Sequence, residues 1–199
     1  MNKLLTGLLL IISSVGYSET SFQKAYKYVM SYEGYYANHV DDFGGETYCG
    51  ITKKFNPRWF GWRYVNTIKN KKQNQNIELA NFWVRDYYLD LWVDGRYEEI
   101  YNHKLAGYLF DYSIHTFSGI QKLEMVLLNK GFMVKVDNSL DSYELLCINL
   151  LNPNVLLRDL EAYRKMHYQS IVSKYPKTKT FLAHWLTRAK LTTLNKAYG

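Results

Sequence analysis

The stretch Thr20-Ser21-Phe22-Gln23-Lys24-Ala25-Tyr26-Lys27-Tyr28-Val29-Met30-Ser31-Tyr32-Glu33-Gly34-Tyr35-Tyr36 decides how this chain is read. Phe22, Ala25, Val29 and Met30 recur at three- and four-residue steps, the signature of an amphipathic helix with one buried face. Thr20 and Gln23 form a Thr-x-x-Gln capping box at its start, and Gly34 offers a stop at its end. Glu33 continues the apolar stripe four residues beyond Val29, so its carboxyl should point inward or across a cleft. Burial and the negative end of the helix dipole both favour the protonated form of such a carboxyl.

Immediately behind lies Asp42-Phe43-Gly44-Gly45-Glu46-Thr47-Tyr48-Cys49-Gly50-Ile51-Thr52. Gly44, Gly45 and Gly50 allow positive φ and close approach of backbone to a ligand. A carboxyl that keeps its proton near neutrality can donate it to a glycosidic oxygen, and a second carboxylate then steadies the oxocarbenium charge or orients water. Asp42 is the first choice for that second group, Glu46 the next and Asp41 the third. Thr47 would hold either the attacking water or the turn itself. A glutamate turned to solvent and a plain tight turn explain each piece singly; an acid, a second acid and a hydroxyl in one helix-plus-turn unit favour the chemical reading.

The chain has 199 residues, 47% of them hydrophobic and 17% aromatic, with a net charge of +7. That suits one substantial core and excludes a disordered chain. Lys3 followed by the apolar run Leu4 to Val15, with Gly16 and Ser18 before a cut, reads as a secretory signal over residues 1–18. The run falls short of the about 20 apolar residues of a membrane span, although an uncleaved segment would tether the protein. Cleavage takes away Lys3 and no acid, leaving +6, a charge that favours anionic polymers. Export makes cell wall the expected polymer, rather than nucleic acid. Cys49 and Cys147 show no zinc-type spacing and no basic neighbour to activate a thiolate, and an unpaired state is expected over a disulfide. No metal and no cofactor is implied.

Helical periodicity dominates the remainder. Pro57 to Gln75 reads as a loop or short helix with a solvated basic end. Ile77 to Leu91 reads as a core helix with Leu79, Phe82, Trp83, Tyr87 and Leu91 on its inner stripe. A turn at Asp94-Gly95-Arg96 precedes a helix from His103 through Phe117, with Leu105, Tyr108, Leu109 and Tyr112 inward. Further helices are expected over 120–129, 142–151, 155–173 and 178–194, and the only β element is a hairpin-like turn between Asp42 and Ile51.

Glu33-Gly34-Tyr35-Tyr36, Asn38, Asp42, Gly44-Gly45-Glu46-Thr47 and Gly50-Ile51-Thr52 together resemble the signature of glycoside hydrolase family 108, peptidoglycan muramidases of phage endolysin and toxin-secretion type. Asp86-Tyr87-Tyr88, Leu109-Phe110-Asp111-Tyr112 and Phe181-Leu182-Ala183-His184-Trp185-Leu186-Thr187-Arg188 resemble later motifs of the same family. The resemblance implies a mainly α, lysozyme-like fold with a short hairpin-like turn after the catalytic helix. It implies a catalytic segment over 20–102, and over 103–199 a helical segment similar to the family's peptidoglycan-binding region. Glu33 would be the general acid and Asp42 its partner. Tyr36, His39, Gly44, Gly45, Thr47, Tyr48, Asp111 and His115 would line the substrate. Trp185 and Arg188 read as packing and surface residues of the last helix. The expected partner is the peptidoglycan glycan strand, acted on by an exported monomer.

The chain departs from the family pattern at Tyr35, His39, Val40, Phe43, Tyr48, His115, Phe117 and Asn138. Glycine is usual at 35, 117 and 138. These departures leave Glu33 in place and bear on substrate preference. A lytic transglycosylase would use the same acid, and a wall-binding protein without catalysis would tolerate the departures.

Overall fold

The computed structural model describes residues 19–38, 45–68 and 74–198. The signal segment, His39, Asp41, Asp42 and Gly44 lie outside them. Helix α1 spans Ser21–Met30, and its capping box forms as expected: Thr20 accepts from Gln23 N at 3.2 Å and the Gln23 side chain accepts from Thr20 N at 2.8 Å. Phe22, Ala25, Tyr28 and Val29 are buried, and each large apolar side chain on that face contributes ~2 kcal/mol by leaving water.

A small antiparallel sheet follows, with β1 at Tyr36–Ala37, β2 at Thr47–Tyr48 and β3 at Ile51–Thr52, in the order β1-β2-β3. Tyr48 pairs with Ile51 across a two-residue turn, where Cys49 has φ 46° and Gly50 φ 80°. Two positive φ angles in a row are what a type I′ hairpin turn demands, because its twist matches that of the strands. The expected hairpin therefore exists, but its tight turn is at Cys49-Gly50.

Next come α2 (Trp62–Ile68), α3 (Asn74–Asp94), α4 (His103–Thr116), α5 (Gly119–Asn129), α6 (Ser142–Leu150), α7 (Pro153–Lys174), α8 (Leu182–Ala189) and α9 (Leu191–Tyr198). Helix α4 is the axis of the molecule. Every residue from Leu105 to Tyr112 is buried, because α1, α5, α7 and α9 pack around it. Helix α6 opens on a second capping box, Asp141 with Glu144, and Asn152 caps α7 ahead of Pro153 at its first position. No helix among the described residues is long and apolar enough to cross a membrane.

Two expectations are corrected. The inner stripe of α3 is Ala80, Val84, Tyr88 and Trp92, one residue out of phase with the predicted one; Leu79 and Phe82 are 43% and 60% exposed. The aromatic run Phe82-Trp83 hides the phase, and Tyr87 and Leu91 lie partly buried on the flank of the stripe. The single last helix is in fact a 3-10 turn at Pro176–Phe181 followed by α8 and α9, parted at Lys190 with ψ 131°. The break is stabilised from outside. Tyr28 donates to the Arg188 carbonyl at 3.0 Å and Tyr108 to the Ala189 carbonyl at 2.7 Å, satisfying groups that a helix end leaves open.

Phe117 and Asn138 both hold left-handed backbone, at φ 56° and 65°. Asn138 tolerates it, with its side-chain oxygen accepting from Gln121 N at 3.0 Å and its amide donating to the Phe117 carbonyl at 3.1 Å. Phe117 has no such compensation and is 79% exposed. Phe117→Gly should therefore stabilise the fold by about 0.5–1 kcal/mol, the relief of left-handed strain less the flexibility glycine adds to the unfolded chain. Urea denaturation of the two proteins measures it, and an unchanged or lower midpoint would contradict the strain.

Candidate active site

Glu33 stands just beyond the end of α1. Its backbone N–H still reaches the Val29 carbonyl at 3.2 Å, so the chain keeps a helix-like turn and the side chain follows the apolar stripe. The carboxyl is mostly buried, with 18% of the side chain exposed. One oxygen, Oε1, accepts from Arg188 Nη2 at 2.9 Å. The other, Oε2, faces Gly50: a Cβ there would lie 2.8 Å from it and 2.6 Å from the Tyr88 hydroxyl. Gly50 itself is exposed, so Oε2 packs against a surface turn. Tyr88 donates to the Cys49 carbonyl at 2.9 Å and so ties the hairpin turn to α3 beside the acid.

Behind Glu33 is a buried charge cluster. Arg188 donates through Nε and Nη2 to Asp111 Oδ1 at 3.0 and 2.8 Å, and Arg164 Nη2 donates to Asp111 Oδ2 at 2.7 Å. Asp111 and Arg164 have no exposed surface, and Arg188 has 3%. Burial alone would push the Asp111 carboxyl up, but the two guanidinium groups outweigh it and hold the pKa below the ordinary value. Arg164 Nε also donates to the Tyr168 hydroxyl at 2.7 Å, and that hydroxyl lies 2.7 Å from His115 Nδ1. The rings of Tyr108, Tyr112 and Tyr168 surround the Arg164 guanidinium at 4.9–5.5 Å, and Tyr32 lies 4.9 Å from that of Arg188.

The expected site residues separate into groups. Asp42, His39 and Gly44 are outside the described residues. Gly45 has φ 65°, and the Thr47 hydroxyl donates to its carbonyl at 3.1 Å, so Thr47 braces the turn. Tyr36 is exposed on β1. Tyr48 is buried, with its hydroxyl donating to Asn81 Oδ1 at 3.0 Å, and its ring borders a small cavity with Tyr36, Val65 and Ile68. Glu46 pairs with Lys53 at 2.9 Å. Asp111 meets the two arginines in the interior, and His115 stands partly exposed at the end of the Tyr168 contact.

Arg188 is a correction. It is no surface residue of the last helix but a buried partner of both Glu33 and Asp111. Arg164 escaped notice altogether, although Leu156, Leu160, Arg164 and Tyr168 recur every four residues on one face of α7, and an arginine on an apolar stripe signals a buried partner. The two cysteines are free and buried, and burial together with the Glu33 charge pushes the Cys49 thiol up to about 12. Both effects disfavour the thiolate that a nucleophile needs. Among the described residues no group of three or more His, Cys, Asp or Glu side chains gathers that could hold a metal ion.

Two outcomes follow from this geometry. Gly50→Ala must strain a left-handed position and press on Glu33 and Tyr88 together, so it should destabilise the protein by about 2 kcal/mol in thermal unfolding. His115 is pushed down to about 3, by burial first and then by the charges of Arg188 and Arg164. The unfolded chain takes up a proton near pH 6.5 that the fold refuses, so the stability tied to neutral His115 is full above that pH and is lost as pH falls toward about 3. His115→Gln should accordingly lower the melting temperature less steeply than wild type over that window; parallel curves would contradict it.

Comparison with curated protein sequences returned no match. Among solved structures, Brucella abortus SagA superposes with a TM-score of 0.63 at 19% sequence identity, over 91% of this chain and 95% of that one, which establishes a shared fold. Residues 26–116, which carry Glu33, the Cys49-Gly50 turn, Tyr88, Asp111 and His115, match the family model described as Glycosyl hydrolase 108.

Proposed function

We propose that the protein is a peptidoglycan hydrolase of the N-acetylmuramidase type, exported by its N-terminal segment, with Glu33 as general acid. The observation that carries this reading is the two-sided setting of the Glu33 carboxyl within the matched segment. One oxygen is held by Arg188, and the other packs against the exposed turn at Gly50, in a side chain that keeps 18% of its surface exposed. A proton on that second oxygen passes to the oxygen between N-acetylmuramic acid and N-acetylglucosamine as the C–O bond breaks. Water then adds to the anomeric carbon, and its proton returns to the carboxylate. Asp42 is the proposed second carboxylate. Tyr36, His39, Gly44 and Gly45 are the proposed contacts to the glycan, with Thr47 and Tyr48 shaping the wall behind them. Asp111 acts from the interior rather than on the sugar, and the partly exposed His115 is a further proposed contact to the glycan. The +6 charge left after loss of Lys3 from the +7 chain favours an anionic wall polymer.

Digestion of purified peptidoglycan with wild type and Glu33→Gln tests the proposal. Wild type should release muropeptides with reducing N-acetylmuramic acid ends by mass spectrometry, and the variant should stay folded and lose at least about 100-fold in rate. Full activity of the variant would sink the reading. Products bearing a 1,6-anhydro ring would make the enzyme a transglycosylase using the same acid. Binding to sacculi by the wild type without release of any fragment would make it a wall-binding protein.

A further inference from the structure

The stretch matched to the family ends at residue 116, yet among the described residues the one side chain that hydrogen-bonds the Glu33 carboxyl comes from residue 188. Arg188 could have been a passive counter-ion, but its geometry says more. Asp111 takes two of its N–H groups on a single oxygen, through Nε and Nη2, and the second hydrogen of that same Nη2 is left for Glu33 Oε1. The guanidinium is therefore fixed by a fully buried carboxylate, which Arg164 grips from the other side, and its place does not depend on Glu33. The α8 backbone is pinned as well, by Tyr28 from α1 and Tyr108 from α4 at the Arg188 and Ala189 carbonyls.

We propose, on the reading of Glu33 as the acid, that Arg188 is the positioning residue of this site: it holds Oε1 as an acceptor and thereby assigns the transferable proton to Oε2. An N–H donated to one carboxyl oxygen favours the proton on the other, and that other oxygen is the one against the exposed Gly50 turn. The corollary concerns organisation. The segment after residue 116 supplies part of the active site through α7 and α8, so the catalytic unit is the whole chain after the N-terminal segment and not residues 20–102 alone.

The test uses the full chain, with peptidoglycan turnover measured across pH for wild type, Glu33→Gln, Arg188→Lys and Arg188→Met, and folding checked by circular dichroism. Lysine keeps the charge but cannot donate in two directions from a planar fork, so Arg188→Lys should fold, keep KM within about twofold and lose at least about tenfold in kcat. Arg188→Met removes the positive charge that opposes protonation of the acid, so the alkaline limb of its pH profile should move to higher pH. A merely structural arginine would leave that limb in place. Wild-type kcat in folded Arg188→Lys would overturn the proposal even if Arg188→Met does not fold, as would an unmoved limb in folded Arg188→Met. Activity surviving in Glu33→Gln would overturn the reading of the acid instead, and the two failures are thereby separable.

Discussion

Asp111 is a carboxylate with no exposed surface, lodged between two guanidinium groups that are themselves buried. Taking such charges out of water costs several kcal/mol per ion, and breaking one pair while its partner stays buried costs about 3–5 kcal/mol. The cluster is therefore held together by the penalty of leaving any member alone. Since Asp111 sits on α4, Arg164 on α7 and Arg188 on α8, that penalty locks three helices into one arrangement. Glu33 is the only acid of the cluster with access to solvent, and it completes the charge balance: two carboxylates against two guanidinium groups.

The opposite wall is built from backbone. The type I′ turn at Cys49-Gly50 needs two left-handed residues, and the second of them cannot carry a side chain because Glu33 Oε2 and the Tyr88 hydroxyl fill that space. Gly50 thus answers two separate demands with one absent Cβ. Cys49 accepts the less favourable half of the turn at φ 46°, anchored by its N–H donating to the Tyr35 carbonyl at 2.7 Å and its carbonyl accepting from Tyr88. Local turn chemistry and a charge cluster assembled from distant residues meet at one carboxyl group.

This division explains what the amino-acid sequence discloses. The α1 capping box, the continuation of its stripe to Glu33, the ends of α4, α5 and α6 and the need for glycine at position 50 are all written in residues a few positions apart, and each is found where local spacing puts it. The stripe of α3 is found one residue out of phase, because aromatic side chains on its flank are as apolar as those on its inner face. The split between α8 and α9 depends on tyrosine hydroxyls from α1 and α4, some 160 and 81 positions away. The ion pair of Glu33 with Arg188 spans 155 positions. No periodicity reports a contact of that range, and an arginine near a chain end is exposed far more often than buried.

The same distinction bears on how the two halves of the chain relate. A binding region that merely accompanies a catalytic segment would meet it through an interface of ordinary side chains, and its charges would be satisfied within each part. Here the Asp111 carboxylate of the matched segment is satisfied by Arg164 and Arg188 from beyond it, and the Glu33 carboxyl by Arg188 as well. Without α7 and α8 the interior of α4 would hold an unpaired buried carboxylate, a state that folded proteins avoid. The matched segment 26–116 is therefore electrostatically incomplete by itself, and the likeness to Brucella abortus SagA over 91% of the chain extends beyond it. The acid and the charges that hold it belong to a single folded unit.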